Sequence, residues 1–249
     1  MEEVLVMFSG GKDSMLSSCM LTPDYDTVNL ISFNNGCISH EEIFRHGAQR
    51  LIVRFKPKVQ WVGIRTTYAE FRRYCGILYN LKISDISLNC PDLTICQFNC
   101  MCCQTAMWVN AIAYCLANNI STIASGYKQT DEFCTGSKKY WNVISEFAND
   151  FGIKTVFPVC DILNVDRQLE MWSILPSVYE PKCCLGCPTS VEFRGETERQ
   201  LLSILSNTIL PIARDDVQKL RSIFAYVKVT DESLEAINCN IPGGKEGWY

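Results

Sequence analysis

The 249-residue sequence has few histidines, no excess of positive charge, no internal repeat and no low-complexity segment. Its two histidines, His40 and His46, have a spacing that suits neither a metal site nor a catalytic pair. The net charge of -4 argues against a surface that binds nucleic acid mainly through its phosphates. A small-molecule substrate is therefore favoured over a polynucleotide.

The N-terminus also lacks a basic segment followed by an apolar one, and we expect no run of membrane-spanning length in the chain. These absences predict a cytoplasmic protein that does not associate with a membrane. Cysteine, by contrast, is abundant, with 15 residues. In a reducing compartment, clustered cysteines favour metal binding, and scattered ones favour small buried side chains.

Apolar runs that alternate with amphipathic stretches predict a Rossmann-like α/β fold with a mainly parallel sheet. After residue 165 the pattern is helical, which predicts an α/β domain at 1–165 and a helical C-terminal region at 166–249. The expected strands are 4–8, 28–33, 60–64, 121–125 and 154–159, and the expected helices are 14–21, 40–55, 68–81, 104–118, 140–151, 200–205, 213–227 and 230–238.

A glycine-containing loop connects the first expected strand to the first expected helix. Two adjacent glycines without β-carbons let consecutive backbone N–H groups surround a phosphate, and the helix N-terminus adds partial positive charge. The two serines can donate hydroxyl groups, Lys12 adds a positive charge, and Asp13 can hold a magnesium ion. The predicted nucleotide-binding residues are therefore Ser9, Gly10, Gly11, Lys12, Asp13 and Ser14.

This loop is neither a Walker A motif nor a GxGxxG motif, but it resembles the SGGxDS signature of the PP-loop family, the N-type ATP pyrophosphatases. The resemblance implies that ATP binds with its β,γ-pyrophosphate on the loop, together with Mg²⁺. It also implies transfer of AMP to an acceptor, with release of pyrophosphate.

The fourth expected strand ends in Gly126-Tyr127-Lys128-Gln129-Thr130-Asp131. This stretch also resembles the PP-loop family, which implies that Gly126 and Asp131 border the adenylate and its magnesium. By this resemblance the catalytic residues are Lys12, Asp13 and Asp131. The alternative is an ordinary left-handed glycine turn with a capping aspartate. The turn Asn34-Asn35-Gly36 after the second strand is expected to lie beside the loop and to face the adenosine.

Two CxxC pairs, Cys100 with Cys103 and Cys184 with Cys187, predict one metal site with four thiolates. Zn²⁺ and a [4Fe-4S] cluster are both compatible with this ligand set. The neighbouring Cys96, Cys102 and Cys183 make the choice of ligands ambiguous, and the alternative is a group of reduced thiols without a metal.

Within the PP-loop family the sequence is most similar to the 7-cyano-7-deazaguanine synthases of queuosine biosynthesis. The residues that carry this resemblance are Ser9–Ser14, Gly126–Asp131, the helix from Tyr140, Phe157-Pro158-Val159 and Cys184–Pro188. It implies a 7-deazaguanine acid or amide as acceptor, ammonia or another amine as nucleophile, and a zinc held by four cysteines. Ser190 stands where the synthase pattern has a third cysteine, so one ligand must come from elsewhere.

Synthase-like proteins also occur in bacterial anti-phage operons, so a divergent member that uses a partner protein as acceptor is a further option. A tRNA thiolase of the same superfamily, with an iron–sulfur cluster on Cys100, Cys103 and Cys187, is the alternative enzyme. The acidic balance of the chain makes tRNA the less favoured partner. The third alternative is a non-catalytic nucleotide-binding protein. The sequence allows a homodimer without requiring one.

A planar heterocycle needs an aromatic platform in a mostly apolar pocket. Trp108, Tyr127 and Phe133 are the candidates for stacking on it.

Overall fold

The computed structural model describes residues 2–36, 41–80, 95–131, 133–175 and 195–227. Its centre is a 5-stranded sheet with the order β3-β2-β1-β4-β5, in which every neighbouring pair is parallel. The strands are β1 (Glu3–Met7), β2 (Thr27–Asn34), β3 (Val59–Thr66), β4 (Thr122–Ser125) and β5 (Lys154–Val156). The α/β fold with a parallel sheet is confirmed.

Helices connect the strands and cover both faces of the sheet. They are α1 (Lys12–Leu21), α2 (Glu42–Phe55), α3 (Tyr68–Asn80), α4 (Ile95–Asn118), α5 (Lys138–Asn149), α6 (Val165–Met171), α7 (Gly195–Ile204) and α8 (Leu210–Val227). A 3₁₀ turn, Phe133–Gly136, precedes α5, and a π-helical turn, Leu205–Ile209, joins α7 to α8. The side chain of Asn164 accepts from the backbone N–H of Arg167 at 3.0 Å and so caps the N-terminus of α6.

The two faces of the sheet bury separate apolar clusters, because alternate side chains of a strand point to opposite faces. On one face Val4 and Val6 of β1 pack with residues of α1, α2 and α6. On the other face Leu5 and Met7 pack with residues of α3, α4, α5, α7 and α8. Apolar contacts thus hold the described C-terminal helices against the α/β layers. The division of the chain at residue 165 stays a prediction.

Helix α4 differs from the sequence prediction, which began it at Gln104 and placed the cysteine cluster ahead of it. The helix begins at Ile95, so Cys96, Cys100, Cys102 and Cys103 all lie on it. Phe98, Met101 and Cys102 are fully buried, and their spacing continues the apolar stripe of the later turns. Burial of this stripe explains why the helix begins as early as Ile95.

The prediction that no apolar run approaches membrane-spanning length is also wrong for this helix. Cys96–Asn118 has a mean hydropathy of 1.3 and is long enough to cross a membrane, but 61% of that window is buried inside the protein. The core helix of a soluble domain has the same composition, and the packing of α4 between the sheet and helices α3 and α8 accounts for it.

The order of the strands reverses between β1 and β4. Strands β2 and β3 follow β1 on one side, whereas β4 and β5 lie on the other. In open parallel sheets a crevice forms at the carboxyl ends of the strands at such a switch point, and ligands bind there. The loop after β1 and the loop after β4 both lie at this switch point, which makes it the candidate site.

Candidate nucleotide site at the switch point

The loop between β1 and α1 occupies the middle of the sheet edge. The N–H of Phe8 donates to the carbonyl of Ile31 at 2.7 Å, which continues the pairing with β2, and α1 begins at Lys12. Gly10 has a φ of +74°, and a Cβ there would lie 2.8 Å from the main-chain oxygen of Ile43 at the start of α2. Because both the φ and the close packing exclude a side chain, this position requires glycine.

The two serines of the loop are bonded to each other and to the main chain. Their Oγ atoms are 3.1 Å apart, and the Ser14 hydroxyl donates to the carbonyl of Gly11 at 2.9 Å. The backbone N–H groups of Ser9 and Gly11 donate to the hydroxyl oxygens of Ser14 and Ser9, each at 3.3 Å. These hydrogen bonds hold hydroxyl and N–H donors together at the N-terminus of α1, where an anion is favoured.

Gly126, the first residue after β4, packs directly against the start of α1. A Cβ at this position would lie 2.8 Å from the Ser14 nitrogen and 3.0 Å from the Asp13 carbonyl carbon. Gly126 does not have a positive φ, so the alternative of a left-handed turn is wrong, and close approach is the reason for glycine here. The structure thus brings the two predicted motifs together, as their positions after neighbouring strands require.

Three charged groups meet beside this contact. The ammonium group of Lys128 lies 3.4 Å from Oδ1 of Asp13, and the Lys128 side chain is only 12% exposed. The backbone N–H of Lys128 donates to Oδ2 of Asp131 at 3.1 Å. Burial, together with the negative charge of Asp13, raises the pKa of Asp131 to about 6. The predicted residues Asp13 and Asp131 are therefore close enough to interact, with Lys128 between them.

Lys12 points to a different partner. Its ammonium group lies 3.6 Å from Oδ2 of Asp166, in the first turn of α6, and the two side chains are 32% and 52% exposed. An ion pair of this exposure contributes little to stability. The loss of this ion pair would therefore cost little.

Two carboxylates at one crevice fit the coordination preference of Mg²⁺. This ion is usually held by one or two protein carboxylates, and the remaining ligands are phosphate oxygens and water. Asp13, together with Asp131, supplies that number of carboxylates next to the Ser9–Ser14 loop. The residues present fit a nucleotide that arrives with magnesium.

No family model matches the chain, and no curated protein matches it. Among solved structures, it is similar to the crystal structure of a predicted subunit of tRNA methyltransferase from Methanocaldococcus jannaschii DSM. The two share 19% sequence identity with a TM-score of 0.41, and the match covers 70% of this chain and 76% of that chain. At this level of similarity the comparison does not indicate an activity.

The cysteines of α4 contact different neighbours. The thiol of Cys100 lies 3.8 Å from that of Cys134 in the 3₁₀ turn, and this contact, with burial, raises the pKa of Cys100. The side-chain N–H of Asn35, at the end of β2, donates to the sulfur of Cys103 at 2.9 Å. In the described part of the chain, no three His, Cys, Asp or Glu side chains are placed to hold a metal. Cys184 and Cys187 lie outside the described residues, so the metal site stays a prediction.

Two of the three aromatic residues proposed as stacking platforms, Trp108 and Tyr127, belong to the core. Trp108 is fully buried, and its indole N–H donates to the Tyr127 hydroxyl at 2.9 Å. Tyr127 is 7% exposed and is stacked on Phe157 at 5.9 Å between ring centroids. The expectation that Trp108 is available to a substrate is wrong, because other side chains already cover its ring. The Phe133 side chain lies outside the described residues.

Sequence reasoning missed two residues of this site, Lys128 and Asp166. Lys128 stands two residues after Gly126, which follows β4, and a cation so close to a strand's carboxyl end is a signal that the sequence contained. Asp166 lies in the first turn of a short helix and becomes relevant only because α6 packs on α1. Nothing in the local sequence indicates that contact.

Proposed function

We propose that this chain is an ATP pyrophosphatase of the PP-loop type, which binds ATP at the switch point and transfers AMP to an acceptor. The observation that carries the proposal is the Ser9–Ser14 loop at the N-terminus of α1, with Gly126 packed against it. This arrangement concentrates donors and positive partial charge where a pyrophosphate group would lie. Asp13, Asp131 and Lys128 at its border suit a triphosphate with a divalent cation.

Each group of the loop has a role in this reaction. The backbone N–H groups and the hydroxyls of Ser9 and Ser14 would bind the β- and γ-phosphates, and Lys12 would neutralise charge that builds on the leaving pyrophosphate. Mg²⁺, held by Asp13 with Asp131, would supply electrostatic stabilisation of the phosphate charges when bound. An oxygen of the acceptor attacks the α-phosphate, the bond to the β-phosphate oxygen breaks, and pyrophosphate leaves.

The acceptor in this proposal is a 7-deazaguanine carboxylate or amide. Support comes from the resemblance of Cys184–Pro188 to the synthase pattern and from the net charge of -4, which disfavours a polynucleotide. After adenylation, ammonia or an amine of another molecule displaces AMP and leaves an amide. A second adenylation of that amide, followed by loss of AMP, gives the nitrile.

The test is to incubate the protein with ATP, Mg²⁺, an ammonium salt and 7-carboxy-7-deazaguanine and to follow the base by mass spectrometry. Amide or nitrile formation together with AMP release supports the proposal, and Asp13→Ala should abolish both while the protein stays folded. AMP release that depends on tRNA and a sulfur donor, with the base unchanged, would assign the chain to the thiolases. Binding of ATP without turnover under either condition would favour a non-catalytic nucleotide-binding protein.

A further inference from the structure

Lys128 is unusual because its side chain is largely buried at the candidate site. The residue stands two positions after Gly126, whose close contact with Ser14 places the turn over the N-terminus of α1. Its side chain is 12% exposed, compared with 32% for Lys12 in the loop itself. A lysine is rarely buried unless an opposite charge compensates it, so its partner indicates what the side chain is for.

The observed partner is Asp13, at 3.4 Å from the ammonium group. An ammonium group carries three N–H donors, and one carboxylate oxygen uses only part of that capacity. The second nearby carboxylate, Asp131, accepts from the backbone N–H of Lys128. The side chain of Lys128 is therefore held at the crevice by the same aspartate that is the predicted magnesium ligand.

This pairing conflicts with the role of Asp13 once a nucleotide binds. A carboxylate that coordinates Mg²⁺ places the ion's charge next to any cation that shares the carboxylate, and like charges at that distance repel. The flexible stem of lysine lets the ammonium group move without a change in the main chain. A triphosphate at the loop offers it a more negative partner than Asp13.

We propose that Lys128 is a second phosphate-binding cation of this site, which holds Asp13 in the nucleotide-free protein and transfers to the pyrophosphate group when ATP binds. This inference rests on the proposed function, since it requires a phosphate ligand at the loop. It assigns the two lysines different parts: Lys12 approaches from the side of α6, and Lys128 from the side of β4.

The test measures binding of inorganic pyrophosphate by isothermal titration calorimetry in the presence of a chelator, so that no divalent cation takes part. Lys128→Gln should weaken binding at least tenfold. Asp13→Asn should strengthen it, because the substitution keeps the shape of the side chain and releases Lys128 to the ligand. Lys154→Gln is the matched control. Lys154 is exposed at the start of β5, whereas the candidate site lies where the strands end, so this variant should bind pyrophosphate like the wild type.

The two substitutions are expected to change the affinity for pyrophosphate in opposite directions, and this difference separates a phosphate-binding role of Lys128 from a structural one. If Lys128 only braced Asp13, removal of either partner would weaken binding, and a loss in both variants would overturn the inference. Binding by Lys128→Gln within twofold of the wild type would overturn it as well, while the proposed function would stand. If the wild-type protein itself binds neither pyrophosphate nor ATP, the proposed function fails. Thermal unfolding of each variant shows whether a loss of binding reflects a loss of folding.

Discussion

Gly126→Ala tests the contact between the two motifs of the candidate site. The added Cβ would meet the nitrogen of Ser14 at 2.8 Å and the carbonyl carbon of Asp13 at 3.0 Å, whereas ordinary contacts begin at 3.4 Å. Both are main-chain atoms, so rotation of a side chain does not relieve the clash. The start of α1 or the end of β4 must move by about 0.6 Å.

Such a movement is costly because the start of α1 follows β1, Gly126 follows β4, and these two strands are hydrogen-bonded to each other. Met7 of β1 pairs with Ser125 of β4, one residue before the glycine. Overpacking of this kind costs about 1–3 kcal/mol. If this energy is lost by displacing the hydroxyl and N–H donors of the Ser9–Ser14 loop, the affinity for ATP should fall roughly 5- to 150-fold.

The assay is titration with ATP, together with chemical denaturation of the same samples. Gly76→Ala is the matched control: nothing lies within 4 Å of a Cβ at that position of α3, and alanine favours a helix. The control should bind ATP normally and unfold at an equal or higher denaturant concentration. If Gly126→Ala matches the wild type in both stability and ATP affinity, the packing argument for the site is refuted.

Two further predictions concern protonation and metal. Asp131→Asn should raise the free energy of unfolding at pH 7.5 by about 1 kcal/mol, because burial destabilises the charged carboxylate that the substitution removes. Solvent screening at the partly exposed carboxylate limits the gain to this size. The folded-state pKa of Asp131, about 6, is above its ordinary 3.8, so its contribution to stability is present below pH 3.8 and is lost as the pH rises through 6. The gain from Asn should therefore disappear below about pH 4, and an equal gain at pH 4 and pH 7.5 would contradict this cause. Elemental analysis of anaerobically purified protein should find one zinc per chain. Cys187→Ser should lose this zinc and be less stable than the wild type. Iron with acid-labile sulfide would favour the thiolase, and absence of any metal would refute the four-cysteine site.

The fold and the strand–loop–helix arrangement around Ser9–Ser14 were predictable because their signals are local. An apolar run such as Val4–Phe8, followed by two glycines and a helix start, has few structural outcomes. The position of Gly126 directly after a strand was predictable for the same reason. The sequence did not show whether its φ is positive, and the structure shows that it is not. The position of β4 next to β1 explains why this glycine faces Ser14, and strand order is not written in any single segment.

The contacts that depend on tertiary packing were not predictable. Lys128 reaches Asp13, and Lys12 reaches Asp166, across more than 100 residues of sequence in each case. The start of α4 was missed for a different reason: its cysteines were interpreted as metal ligands, although Phe98 and Met101 continue the apolar spacing of a buried helix. Cysteine serves both as a ligand and as a small apolar residue, and the sequence does not distinguish the two uses here.

The most direct test of the central claim is the fate of the γ-phosphate of ATP. The protein is incubated with γ-³²P-labelled ATP, Mg²⁺, ammonium and 7-carboxy-7-deazaguanine, or alternatively with tRNA and a sulfur donor, and the labelled products are separated by thin-layer chromatography. Cleavage between the α- and β-phosphates predicts label in pyrophosphate, with unlabelled AMP as the other product. Label in orthophosphate, with ADP as the other product, would contradict the assignment of the Ser9–Ser14 loop to pyrophosphate binding.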